Sequence, residues 1–164
     1  PLPEVVTNPT PIQACENGAG SGMASVDLTA SEVEIGSEAT NLTFTYYTNY
    51  DGAVLEDAAS IIGTPDDFLT GSTTVYVRVE NVLTNAADQC SVIVPLQVIV
   101  NATPAIGPMT PLFVCLDNNT GYYTFNLLDK NQEALAGQNA NNFSVKYYID
   151  QVSAEAGTTP SVRQ

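Results

Sequence analysis

The stretch TVYVRVE at residues 74–80 decides the predicted fold of this chain. Valine occupies every second position in it, and the residues between the valines are aromatic or charged. Successive side chains of a β-strand point to opposite faces, so this alternation is typical of a strand with one buried face. The stretch therefore predicts a β-strand that packs one side onto a hydrophobic core.

A second alternating series follows at residues 92–100, where every second residue is valine or leucine. Ile93 and Ile99 make the opposite face partly apolar as well. Pro95 has no N–H to donate to a neighbouring strand, so we expect a bulge or a sheet edge at that point. A shorter alternation at Ala24, Val26 and Leu28 predicts another strand.

Helical patterns are few and short. Residues 29–35, 127–135 and 150–156 fit one to three helical turns each, with Thr29 and Asp150 as candidate N-caps. Several short strands separated by turn residues favour an all-β fold, namely an Ig-like antiparallel Greek-key β-sandwich.

The chain also contains an internal repeat with a period near 100 residues. The matched pairs are Cys15 with Cys115, Asp27 with Asn126, and Tyr46 with Tyr147, at offsets of 100, 99 and 101 residues. The boundary falls in a short proline-containing connector, which gives module 1 at residues 1–102 and module 2 at residues 103–164. By this offset the counterpart of residues 75–100 lies beyond Gln164, so we expect the second copy to be incomplete.

The repeat predicts equivalent strands in module 2. Tyr123, Phe125 and Leu127 are the counterparts of the alternation at residues 24–28. Residues 143–148 match the Tyr-Tyr stretch at residues 42–47.

Composition excludes several classes of function. The net charge is −14, with 18 acidic residues against four basic ones, so nucleic acid is not an expected partner. The chain has no histidine, which removes Ser-His-Asp and Cys-His catalysis and the common zinc sites. No apolar run reaches the length of a membrane span, and residues 1–3 do not resemble a signal peptide. We expect a non-catalytic protein that is an interior piece of something longer.

The order of these features resembles a known module. The proline-rich entry into Cys15, the Tyr46-Tyr47 and Tyr147-Tyr148 pairs, the stretch YVRVEN at 76–81 and Cys90 before the last strand are its landmarks. Together they are similar to the tandem Ig-like repeats of large Bacteroidota (flavobacterial) adhesins exported by the type IX secretion system.

The resemblance implies an extracellular, outer-membrane-associated stalk or spacer that supports adhesion or surface motility without catalysis. The implied partners are neighbouring repeats of the same chain, the secretion or surface-anchoring machinery, and a glycan or other surface ligand. The alternative is a carbohydrate- or protein-binding β-sandwich module of a secreted protein.

Three cysteines matter for an exported chain, since such a chain is exposed to oxidising conditions. Cys15 and Cys90 lie 75 residues apart and are expected to form a disulfide, the alternative being two buried or free thiols. Cys115 is the equivalent of Cys15, so we expect it to be unpaired in this chain.

The loop at residues 117–121 offers a calcium hypothesis. Asp117 and Asn119 place oxygen ligands at alternate positions before Gly121, which is how calcium loops begin. Polar turns have the same composition without metal, and no other cofactor is expected. The loop after Cys15 is a weaker candidate of the same kind.

Other polar and aromatic residues are also candidate sites. Asp66 and Asp67 follow Pro65, which is typical of an exposed turn rather than of a catalytic carboxylate pair. Tyrosines at strand positions usually pack half-buried, but they also suit a sugar-stacking platform. The candidate platform residues are Tyr46, Tyr47, Tyr147 and Tyr148.

Overall fold

The computed structural model describes residues 2–36, 41–82, 90–115 and 121–158, and the chain divides into two units, Pro1–Thr103 and Pro104–Gln164. Unit 1 is β-rich. Its strands are β1 (Ile12–Cys15), β2 (Ala24–Val26), β3 (Leu42–Tyr47), β4 (Phe68–Thr70), β5 (Thr73–Asn81) and β6 (Ser91–Asn101). Its helical segments are α1 (Glu32–Gly36), α2 (Tyr50–Leu55) and single 3₁₀ turns at Thr29–Ser31, Ala58–Ser60 and Pro65–Asp67.

The strands form two sheets. The larger has the order β1-β6-β5-β3, and the smaller pairs β2 with β4. Within the larger sheet β1 runs parallel to β6, whereas β5 is antiparallel to both β6 and β3. The β5–β6 register continues without interruption from Thr73 opposite Val98 to Glu80 opposite Ser91.

The two alternating stretches are strands, as the sequence predicts. Val75, Val77 and Val79 of β5 are at most 1% exposed, and the residues between them are partly exposed. Pro95 lies in β6 without interrupting the β5–β6 register, so it causes no bulge. The described pairing of β1 with β6 begins only at Val98, so β6 has an open edge at Pro95. This is the environment that a residue without an N–H requires.

The core of unit 1 lies where the two sheets and α1 meet. It is built from one face of β5 and β6, the inward side chains of β2, and single residues from α1 and β3. Its largest fully buried side chains are Leu28, Ile35, Leu96, Val75, Val77, Val79, Val94 and Val98. The period-2 pattern is therefore the direct sequence signature of this core.

The short helices are partly as predicted. Residues 29–35 form a 3₁₀ turn followed by α1, but the N-cap is Leu28 and not Thr29. The sequence pattern missed α2, whose N-cap Asn49 accepts a hydrogen bond from Gly52 N at 2.7 Å. A glycine in so short a segment hides it from a search for helical periodicity.

Unit 2 contains helices but no strand in its described residues, 104–115 and 121–158. They are a 3₁₀ turn at Leu127–Lys130, α3 (Asn131–Leu135) and α4 (Gln151–Glu155), the last capped by Asp150 as predicted. The strands predicted at residues 123–127 and 143–148 are not formed. In unit 1 the main ladder of β3 is with β5 and that of β1 is with β6, and the described residues of unit 2 include no strand that could serve as such a partner.

The helices in the described part of the chain are all too short or too polar to cross a membrane.

Candidate functional site

Cys15 lies at the end of unit 1 where the chain leaves it. It is the last residue of β1, it is exposed, and it stands opposite Asn101, the last residue of β6. Glu16 N continues the parallel pairing by donating to Asn101 O at 2.9 Å. The first cysteine and the last residues of the unit therefore share one edge of the sheet.

Glu16 organises this end of the unit. Its side chain is buried, and both carboxylate oxygens accept backbone hydrogen bonds. Oε1 accepts from Gly20 N at 2.7 Å and from Thr103 N at 3.0 Å, and Oε2 accepts from Gly22 N at 2.7 Å. These bonds hold the pKa of Glu16 below its usual value of 4.5. The bond from Gly22 has the largest effect, followed by those from Gly20 and Thr103.

The glycines in this loop are required by its backbone. Gly20 and Gly22 have φ values of 78° and 62°, the left-handed region that favours glycine. The sequence pattern did not identify Glu16 as a functional residue. An acid followed by three glycines at alternate positions, 18, 20 and 22, was the available signal, since such a loop can turn N–H groups toward a carboxylate.

Cys90 lies at the other end of the sheet. It directly precedes β6, is partly exposed, and its carbonyl accepts from Asn81 N at 3.4 Å, at the end of β5. Nearby, Val82 N donates to Asn41 O at 2.8 Å, just before β3. This end of the sheet is formed by strand termini other than those that flank Cys15.

The structure therefore does not bring Cys15 and Cys90 together. Cys15 is level with Asn101, and Cys90 precedes Ser91 on the same strand. At about 3.3 Å per residue, the two positions lie roughly 35 Å apart along β6. A disulfide requires Cα atoms within about 7 Å, so the expected bond between them within unit 1 is incompatible with this register.

The remaining cysteine and the two candidate calcium loops were also predicted from the sequence. Cys115 is exposed in unit 2, and its expected lack of a partner in this chain stays a prediction. Asp117 and Asn119 lie outside the described residues, so the calcium hypothesis also stays a prediction. In the loop after Cys15 both carboxylate oxygens of Glu16 accept hydrogen bonds from backbone N–H groups. A calcium ion needs oxygen ligands that point toward it, so this loop is not arranged as a calcium site.

Two of the candidate platform tyrosines are in the interior. Tyr46 and Tyr47 are 2% and 3% exposed, so neither ring offers a face on which a sugar can stack. Tyr46 Oη donates to Glu32 Oε1 at 2.9 Å. Burial raises the pKa of Tyr46 far above its usual value of 10, and the hydrogen bond to Glu32 is the second-largest cause of this rise. Their role in this structure is to pack the core and its border.

The equivalent tyrosines of unit 2 are partly exposed. Tyr147 Oη donates to Asn131 Oδ1 at 2.8 Å. Its ring lines an open cleft of about 390 Å³ together with Ile106, Leu135 and Val145. Tyr148 is also partly exposed, and a ligand role for this pair stays a prediction.

Arg78 links α2 to the large sheet. Its guanidinium donates to Glu56 at 2.7 Å, to Glu80 at 2.9 Å and to Ala53 O at 3.0 Å, and the side chain is only 12% exposed. These contacts pair the cation with the neighbouring acids Glu56 and Glu80. Beside it, the rings of Tyr50 and Tyr76 meet edge to face with centroids 5.7 Å apart.

Asp66 and Asp67 form an exposed 3₁₀ turn that begins at Pro65, as the sequence predicts for a polar turn. In the described ranges no three or more Cys, Asp and Glu side chains cluster so as to hold a metal ion.

Comparison with known proteins gives one finding. The profile of the Flavobacterium inter-domain disulphide bond domain matches twice, over residues 11–104 and 111–164. The searches of curated proteins and of solved structures returned no match. The two matches confirm a repeated flavobacterial domain and cover most of the sequence, so neighbouring copies of the domain lie in the same chain. The chain therefore belongs to the Flavobacterium inter-domain disulphide bond domain family.

Proposed function

We propose that this chain is a non-catalytic part of the stalk of a large adhesin, displayed at the bacterial surface after type IX secretion, and that it serves adhesion or surface motility. In this proposal each copy of the domain is a rigid spacer, and disulfides between successive copies make the rod resist extension. The acidic charge of −14 keeps neighbouring rods apart through repulsion. An Ig-like Greek-key sandwich is the fold that we propose for a complete copy.

The placement of the two cysteines carries this proposal. Cys15 lies at the edge of unit 1 from which the chain leaves, and Cys90 lies about 35 Å away at the opposite edge. A cysteine at each end of a spacer suits a crosslink to the neighbour on each side, whereas a bond within one copy would need the two to be adjacent. The family's description as an inter-domain disulphide bond domain supports the same reading.

Disulfide mapping of the intact secreted protein tests the proposal. The protein is alkylated without reduction, digested, and analysed by mass spectrometry. We expect the Cys15 peptide to be joined to a peptide from another copy of the domain, at the position equivalent to Cys90. A bond between Cys15 and Cys90 of one copy, or free thiols at both positions in the secreted protein, would overturn it.

The calcium hypothesis has a separate test. Calcium titration of the chain, with the variant Asp117→Ala as the control, would show saturable binding that the variant lacks. Equal behaviour of the two proteins would remove Asp117 and Asn119 as ligands.

The alternative of a glycan- or protein-binding module has one observation in its favour. Tyr50 is 53% exposed and stacks edge to face on Tyr76, so this pair presents aromatic surface that Tyr46 and Tyr47 do not. A glycan array probed with the wild-type chain and with Tyr50→Ala decides between the two. Binding that disappears in the variant favours the alternative, and no binding favours the spacer.

A further inference from the structure

We infer that Glu16 is a positioning residue, whose buried carboxylate holds the loop after Cys15 and the last residues of unit 1 in one fixed arrangement. This inference deepens the proposed crosslinking role and, for its meaning in the stalk, rests on it. The physical claim itself concerns only residues of unit 1.

The contacts join three parts of the chain that are distant in sequence. Glu16 lies next to Cys15, its carboxylate accepts from the loop glycines Gly20 and Gly22, and it also accepts from Thr103 N. Thr103 Oγ1 returns a hydrogen bond to Glu16 O at 3.1 Å. The last residue of unit 1 is thus held to the cysteine end by its backbone and by its side chain.

A carboxylate is the side chain that this arrangement requires. Three N–H donors converge on two oxygens, and a carboxylate only accepts hydrogen bonds. Such bonds from N–H groups to a charged acceptor are about twice as strong as neutral ones. If the side chain were apolar, the three donors would lose their shared partner, and nothing else described in the loop would replace it.

The second copy lacks this group. The residue that follows Cys115 is Leu116, at the position of Glu16. Leucine cannot accept a hydrogen bond, so the second copy has no side chain at this position that could bind N–H groups as Glu16 does. The natural sequence therefore supplies the informative substitution, Glu16→Leu.

Hydrogen exchange of the whole 164-residue chain, measured by NMR under reducing conditions, tests the inference. In Glu16→Leu we expect the amides of Gly20, Gly22 and Thr103 to exchange about tenfold faster or more, because each loses a bond to a charged acceptor. The amide of Val77 in the core should exchange at the wild-type rate. Glu34→Leu is the matched control, because Glu34 is also a carboxylate of unit 1 that accepts a backbone hydrogen bond, from Thr10 N at 2.8 Å.

We call the N–H groups of Gly20, Gly22 and Thr103 around the Glu16 carboxylate the cradle. The variant Glu16→Gln distinguishes loss of the hydrogen bonds in the cradle from destabilisation of the whole unit. Glutamine has one acceptor oxygen, so it can serve Gly20 and Thr103 at one side of the cradle or Gly22 at the other. We expect slow exchange to survive on one side only. If Glu16→Leu also destabilises the core, slow exchange on one side only in Glu16→Gln still shows that the carboxylate oxygens hold these amides.

Wild-type exchange at all three amides in Glu16→Leu would overturn the inference. So would equal acceleration of Val77 and the three amides in both Glu16 variants, because that result describes a merely structural residue. Since the sulfurs are reduced in this experiment, its outcome does not depend on any crosslink. Failure of the inference and failure of the proposed function are therefore separate results.

Discussion

At the scale of single residues, the structure distinguishes polar groups that the sequence shows as alike. Glu16 is buried in a cradle of N–H groups, whereas Glu34 binds Thr10 at an exposed position. Tyr46 is buried and Tyr50 is half exposed, although both lie in the same tyrosine-rich stretch. Composition and spacing identify such residues as candidates, but burial decides what each one does.

Tyr46 gives a prediction at this scale. The variant Tyr46→Phe keeps the ring in the core but removes the hydrogen bond to Glu32. We expect the free energy of unfolding to fall by about 1–2 kcal/mol, as measured by urea denaturation. Tyr50→Phe is the control and should change it by less than about 0.5 kcal/mol, because that ring is half exposed. Equal effects of the two variants would contradict the assigned role.

The raised pKa of Tyr46 adds a prediction about alkaline pH. Folding favours the neutral phenol, so this contribution is intact below the pKa of about 10 that the unfolded chain has, and it is lost as the pH rises above that value. Stability should therefore decline more steeply above pH 10 in the wild type than in Tyr46→Phe. Identical alkaline profiles would contradict the shift.

At the scale of secondary-structure elements, contacts between elements explain what the pattern left open. The alternation at 74–80 predicted β5 without reference to the rest of the chain, because Val75, Val77 and Val79 on one face of the strand are all buried. In contrast, α2 is held by Asn49 at its start and by Arg78 from β5, and neither contact leaves a periodic signal.

Arg78 gives the prediction for this scale. The variant Arg78→Met removes the bonds to Ala53 O and to two carboxylates, so we expect the free energy of unfolding to fall by about 1–2 kcal/mol. Glu56→Gln is the matched control, and it should cost less than about 0.5 kcal/mol because Glu56 is 64% exposed. Hydrogen exchange in α2 provides the local readout. If Glu56→Gln were as destabilising as Arg78→Met, the exposed ion pair and not the bond to Ala53 would hold the helix.

At the scale of the whole molecule, the two units have different amounts of buried core. Unit 1 buries the valines of β5 and β6, whereas unit 2 exposes large apolar side chains such as Phe113 and Tyr122, at 87% and 88%. The core of unit 1 is built largely on β5 and β6, whereas the described residues of unit 2 form no strand.

This difference predicts unequal protection from hydrogen exchange. We expect amides of β5 and β6 to exchange slowly and at similar rates, because they open only when unit 1 unfolds. Amides in the described part of residues 104–158 should exchange orders of magnitude faster, since few of them lie over a buried core. Mass spectrometry of the exchanging 164-residue chain measures both regions at once. Comparable protection in the two units would show that unit 2 has a core of its own.

The sequence by itself determined the β-rich class, the two longest strands and the repeat, because burial of one strand face imposes a period of two, and duplication of a domain imposes a fixed offset. The tertiary structure alone decided which cysteines can meet. The parallel pairing of β1 with β6 places Cys15 beside Asn101 and far from Cys90, and strand register is a long-range property that spacing along the chain does not encode. For the same reason the bond from Thr103 N to Glu16 could be identified only from the fold.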